Sequence, residues 1–214
     1  MARKSISSWL HGLLMTKTEQ DIQQEIYVAL AFHQAGKLKE AKSEYRKLLR
    51  RYPDNADILH LSGTLAHQMG QMDAALKNLT RAATLAPQNL EIHLNLFRTL
   101  ATQDKIPELE HTLHILVELS PKDANLLAQL GEILVRQDRA DEAEPYFRRS
   151  VESNPETLDA WNGLGNILER RGEFADAEDC YLKSIEIEPN RAEARYNLGN
   201  VLRQQNKVED SIKA

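Results

Sequence analysis

The sequence predicts an all-α solenoid of stacked, antiparallel helix pairs. Pro53, Pro87, Pro121, Pro155 and Pro189 stand 34 residues apart with no insertion between them, and a period of that length marks repeated helical hairpins. In the copy from Leu158 to Arg191, Trp161, Leu164, Gly165 and Leu168 recur at i, i+3, i+4 and i+7, which is one stripe of a helix. Gly172 falls where that helix must stop, since glycine takes the left-handed backbone without a Cβ clash. Ala177, Tyr181 and Ser184 then mark the inner face of a second helix. Pro189 ends it, because proline cannot donate the next helical hydrogen bond.

Together, Trp161, Leu164, Gly165, Leu168, Gly172, Ala177, Tyr181 and Pro189 resemble the tetratricopeptide repeat (TPR) signature, and the resemblance covers residues 22–214. It implies a right-handed superhelix whose first helices line a concave groove that receives peptides or protein segments. The asparagine-rich fifth and sixth copies are similar to the repeats that precede the catalytic domain in O-GlcNAc transferase-like proteins and in bacterial TPR-sulfotransferases. At the ladder position of those repeats Asn95 and Asn197 match, whereas Tyr27, Leu61, Gln129 and Gly163 do not. Asn162 stands where chaperone adaptors of the same family carry the leading lysine of their clamp, so a chaperone tail is disfavoured.

Taken in order, residues 1–18 carry Arg3, Lys4 and Lys17 and no acid, with Ile6, Trp9, Leu10, Leu13 and Leu14 at helical spacing. This reads as an amphipathic helix that covers the open apolar end of a repeat array, with attachment to a membrane surface or occupancy of the groove as the alternatives. It is too short to span a membrane and lacks the cleavage site of a signal peptide. Residues 19–214 then form the array, five full repeats and a truncated sixth. The first repeat places Val28, Ala29 and Phe32 on its first helix and Ala41, Tyr45 and Leu48 on its second; the second repeats the pattern with Leu59, Gly63, Ala66, Ala75 and Leu79. The third departs most. Phe97 stands where glycine is usual, Asp104 replaces the turn glycine and Leu109 the small alanine; the larger residues should spread the helix pair. Pro107 suits the first turn of its helix, while Pro145 in the fourth copy should distort a helix start. The sixth copy stops in mid-helix after Val208 and Ser211, which points to a longer parent protein.

Composition limits the function. A formal net charge of -5 and 28% charged residues describe a surface with no global attraction for nucleic acid or anionic membrane. One cysteine, Cys180, rules out an internal disulfide framework and fits a reducing, cytoplasmic setting. Asn78-Leu79-Thr80 matches a glycosylation sequon, but Leu79 falls in a core slot. His111, His114 and Glu118 share a helix face without a full metal-ligand set. Gly163-Leu164-Gly165 lacks the third glycine and preceding strand of a phosphate loop. No catalytic, metal or cofactor residue is therefore expected.

The expected site is the groove wall, built from first-helix residues outside the packing stripe: Asn162, Asn166, Arg170, Asn197, Asn200 and Arg203, continued by Gln129, Glu132 and Arg136 and by Asn95 and Arg98. A primary amide offers donor and acceptor together, which matches an extended peptide backbone. Arginine adds recognition of acidic side chains or a C-terminal carboxylate. Nearer the N-terminus the wall carries Ile26, Leu30 and Leu94 beside His33, His60, Thr64 and His67. The expected function is a non-catalytic scaffold for a peptide or protein partner. The alternative is the docking arm of a glycosyltransferase or sulfotransferase whose catalytic domain lies beyond residue 214. Trp161, read as a buried aromatic, should cost about 3–5 kcal/mol on truncation to alanine.

Overall fold

The computed structural model describes residues 17–205. Along them run α1 (Lys17–Gln34), α2 (Leu38–Arg51), α3 (Ala56–Gln68), α4 (Met72–Leu85), α5 (Leu90–Ala101), α6 (Ile106–Leu119), α7 (Ala124–Arg136), α8 (Ala140–Ser153), α9 (Leu158–Arg171), α10 (Phe174–Ile187) and α11 (Ala192–Gln204), with no strand among the described residues. The amphipathic segment expected over 1–18 lies outside them, apart from the two residues that open α1. Val208 and Ser211 of the sixth copy lie outside as well. Odd-numbered helices up to α5 and then α7, α9 and α11 begin with the repeat boundaries; α6, α8 and α10 follow their turns.

The boundaries are set by local chemistry. Asn55, Asn89 and Asp123, again 34 residues apart, cap α3, α5 and α7: their side chains accept from the backbone N–H of Ile58, of Ile92, and of Asn125 and Leu126. These are donors that a first helical turn leaves unsatisfied. At the far end of the first helices, Gly36, Gly70 and Gly172 have φ of 72°, 72° and 78°. At the same register Asp104 and Asp138 take φ of 51° and 61°, a region that costs a residue with a Cβ about 1 kcal/mol or more. Each aspartate also receives an arginine from the following repeat, Arg136 Nη2 at 2.6 Å from Asp104 and Arg170 Nη2 at 2.9 Å from Asp138.

The chain divides into two compact units after Thr102, inside the third repeat, where Phe97 and Leu109 depart from the pattern. In the first unit α1 packs on α2 and α3, and α3 on α4 and α5. Its core gathers Ile26, Ala29, Ala41, Tyr45, Ile58 and Leu65. Two expectations are corrected here. Val28 is 46% exposed, and Ile26, expected on the open wall, is 6% exposed, because the buried stripe of α1 runs through Ile22, Ile26 and Ala29 at four- and three-residue steps.

In the second unit α7 packs on α8 and α9, and α9 on α10 and α11. Close approach needs glycine. A Cβ on Gly165 would stand 2.6 Å from Tyr181 Cε1, and one on Gly131 or Gly163 would stand 2.7 Å or 2.4 Å from the Phe147 ring. The Phe147 ring is thus wedged between two glycines on successive first helices. Pro107 sits in the first turn of α6 as expected. Pro145 lies inside α8, which nevertheless runs unbroken from Ala140 to Ser153. Cys180 is buried, and burial raises its thiol to about 11, so at neutral pH it is not a thiolate nucleophile.

Trp161 is not fully buried, contrary to the sequence reading: its residue is of intermediate exposure, and the indole Nε1 donates to the Pro155 carbonyl at 2.7 Å. That register recurs. His93 Nε2 lies 3.1 Å from the Pro87 carbonyl, and Arg195 Nε donates to Pro189 at 2.7 Å. In the fourth copy, where Leu127 cannot donate, Arg149 reaches the Pro121 carbonyl at 3.2 Å. Where the position carries a donor, in the third, fifth and sixth copies, it ties down the carbonyl of the proline turn; Leu59 and Leu127 fill the same register without one.

Candidate functional site

First helices place the predicted residues on two walls, one in each unit. In the second unit α7 supplies Glu132, Val135 and Arg136, α9 supplies Asp159, Asn162, Gly163 and Asn166, and Arg191 and Glu193 stand at the start of α11. These side chains, with the edge of the Phe147 ring below them, enclose a pocket of about 260 Å³. Of the predicted residues it unites Arg136, Asn162 and Asn166. Asn162 is only 3% exposed, and neither Nδ2 nor Oδ1 finds a hydrogen-bond partner among the described residues. Gln129, on the preceding first helix, likewise buries Oε1 without a partner. A buried polar group left unpaired costs free energy comparable to a lost hydrogen bond.

The other predicted polar groups of this unit are engaged. Asn166 Oδ1 accepts from Asn197 Nδ2 at 3.0 Å and lies 2.8 Å from the Tyr181 hydroxyl. Arg203 donates to Asn200 Oδ1 at 2.7 Å. Arg136 and Arg170 are held by Asp104 and Asp138, so carboxylates of the chain itself occupy the arginines expected to meet an acidic ligand. Arg191 is shared by Asp159 at 3.0 Å and Glu193 at 3.3 Å. Glu132 differs: among the described residues it makes no ion pair or hydrogen bond. Although the residue as a whole is exposed, desolvation of its carboxyl, reinforced by Asp159 and opposed by Arg191, raises it above the usual glutamate range.

The first-unit wall holds Asn95 and Arg98 with Thr64, His67, Gln68 and Thr99 around a cavity of about 270 Å³. Its polar groups satisfy one another. Asn95 Nδ2 lies 2.6 Å from His60 Nε2, and Arg98 donates to Asn95 Oδ1 at 2.5 Å. Thr99 donates its hydroxyl to the Asn95 carbonyl and so accepts from His67 Nδ1 at 2.9 Å. His33 meets Gln68 at 2.8 Å. Burial lowers the pKa of His60, which favours the neutral ring that accepts from Asn95. Of the expected apolar strip, Leu30 and Leu94 keep intermediate exposure and Ile26 belongs to the core.

His111 is exposed, and His114 lies 3.7 Å from Glu110 and edge-on to Tyr146. No group of three candidate metal ligands occurs among the described residues, nor any helix long and apolar enough to cross a membrane. Sequence reasoning passed over Asp159 and Arg191 as wall residues, and placed Phe147 with the fourth copy's packing residues rather than beneath the wall. The signal for Phe147 was present in Gly131 and Gly163, two glycines on adjacent first helices at positions where a large side chain must pass.

Comparison with known proteins gives the class. A tetratricopeptide repeat family model matches residues 29–96 and 128–192, and a second model of the same description matches 180–213. The chain belongs to the tetratricopeptide repeat family. Its fold resembles that of solved structures: MamA, with a TM-score of 0.68 at 23% identity over 74% of this chain and 86% of that one, and YrrB, a TPR protein with an unusual peptide-binding site, with 0.66 at 20% over 79% and 87%. A 69-residue stretch is 33% identical to the Protein CTR9 homolog of Arabidopsis thaliana, 32% of this chain and 6% of that protein's length.

Proposed function

We propose that the chain is a non-catalytic scaffold that binds an extended segment of a protein partner along the first-helix wall of the fourth to sixth repeats. The observation that supports this reading most is Asn162, a buried carboxamide with both ends free in a pocket wide enough for a side chain. Asn166, Asn197 and Asn200 extend the amide-rich wall on either side, and amides serve the alternating donors and acceptors of a backbone. The MamA and YrrB likenesses add that the fold suits such a role, and YrrB is itself described by a peptide-binding site. Expectations of acidic-ligand recognition move from Arg136 and Arg170, which are paired, to Arg203 at the edge.

A phage-displayed random-peptide library tests the reading. Enriched peptides should bind the parent and lose at least about tenfold in affinity on Asn166→Ala with Asn200→Ala, while Lys183→Ala on α10 leaves them unchanged. Binding indifferent to the wall variants would remove the site from the first helices. The same wall would serve a transferase that carries the array as its docking arm, a reading that rests on the asparagine-rich fifth and sixth copies; the coding sequence beyond residue 214 separates the two.

A further inference from the structure

We infer that the pocket between α7 and α9 selects a basic side chain, arginine or lysine, as the anchor of the bound segment; this rests on the wall being a peptide-binding surface. The pocket lining holds three carboxylates, Glu132, Asp159 and Glu193, and two guanidinium groups, Arg136 and Arg191. Arg191 already bridges Asp159 and Glu193, and Arg136 reaches out to Asp104. Glu132 is left without an ion pair at contact distance, although Arg191 and Arg136 both act on it through space. A carboxylate held partly out of water gains most from a cation placed against it, with charge-assisted hydrogen bonds stronger than neutral ones.

The remaining features fit the same guest. Asn162 Oδ1, buried and unpartnered in the same lining, is an acceptor that a turn of its carboxamide toward the pocket would offer to an ammonium or guanidinium N–H. Its free Nδ2 remains for the carbonyl of the segment's own backbone. Val135 and the edge of Phe147 give the pocket an apolar side, which suits the methylene stem that both basic residues carry beneath their charge. The volume of about 260 Å³ admits one long side chain. An acidic guest would meet the unpaired Glu132, and a guest too short to reach in would leave Asn162 unpaired.

The test uses blocked, fluorophore-labelled peptide pools in which one central residue is fixed as arginine, glutamine or glutamate and the other positions are randomised over uncharged residues. Fluorescence anisotropy reads the affinity of each pool for the parent chain, for Glu132→Gln and for Asn162→Leu. Glu132 makes no hydrogen bond in the fold, so its variant should stay folded, with a Tm no lower than the parent's. The arginine pool should bind about tenfold tighter than the other two, Glu132→Gln should abolish that preference while keeping the glutamine pool's affinity, and Asn162→Leu should weaken all three. Equal binding of the pools, or tightest binding of the glutamate pool, would overturn the basic anchor and leave the wall standing as a peptide site. If no pool binds, the wall reading falls and the anchor with it.

Discussion

His60 and Asn162 occupy one register three repeats apart, and both are buried, at 8% and 3% exposure. His60 meets Asn95 from the next repeat at 2.6 Å. The counterpart of Asn95 in the sixth repeat is Asn197, but Asn197 donates to Asn166 instead, at 3.0 Å, and Asn162 is left with nothing. The two walls thus share a backbone frame and differ in how their polar groups are spent. In the first unit histidine, threonine and asparagine close the wall with their own hydrogen bonds, which stabilises the fold and leaves little for a guest. In the second a carboxamide and a carboxylate are kept unpaired, a cost that makes sense where a ligand repays it.

Substitutions can break or sharpen that contrast. The largest effect should come from Phe147→Ala, which empties the space between Gly131 and Gly163 and should cost about 3–5 kcal/mol, read as a shift of the urea midpoint; a shift below about 1 kcal/mol would show that the ring is not the wedge described. Next are the two walls themselves. Asn95→Leu leaves His60 buried and unpaired and should destabilise by about 1–3 kcal/mol, whereas Asn162→Leu removes an unpaired amide and should stabilise by about 1 kcal/mol. Shifts of the same sign in thermal melts would erase the distinction between the units.

Trp161→Phe should cost about 0.5–1.5 kcal/mol through the lost bond to Pro155, and Trp161→His, which copies His93, should recover part of it. A loss from Trp161→Phe as large as that of a core aromatic would return the indole to the interior. The smallest effect concerns Glu132. The folded state holds its proton more tightly than the unfolded chain does, so ionisation removes stability as pH rises through the raised pKa. Glu132→Gln should therefore raise Tm near neutral pH and leave it unchanged in acid, below the ordinary glutamate value of about 4.3. A gain that persists in acid would trace the effect to something other than charge.

The proline period and the glycine-stopped helices made the architecture legible from residues alone, since both signals are local and repeat. The caps Asn55, Asn89 and Asp123 obey the same period but went unread, because they stand outside the hydrophobic stripe that organises the pattern. Two kinds of information were not legible. The phase of α1 hid Ile26 in the core because Ile22 rather than Val28 sets the stripe. The state of each wall residue was invisible because it depends on which neighbour a side chain bonds: Arg136 and Arg170 look available until Asp104 and Asp138 are seen to serve them as well as their turns. Asn162 and Asn95 read alike as groove amides, and only the packing of neighbouring repeats separates the unpaired one from the paired one.

Side-chain amide resonances of asparagine give the most direct test. In a ¹⁵N-labelled sample titrated with the arginine-fixed peptide pool, the Asn162 amide should shift as it gains partners, with Asn166 following, while the Asn95 amide stays in place beside His60. Shifts confined to Asn95 and its neighbours, with Asn162 unmoved, would put the open wall in the first unit and contradict the account.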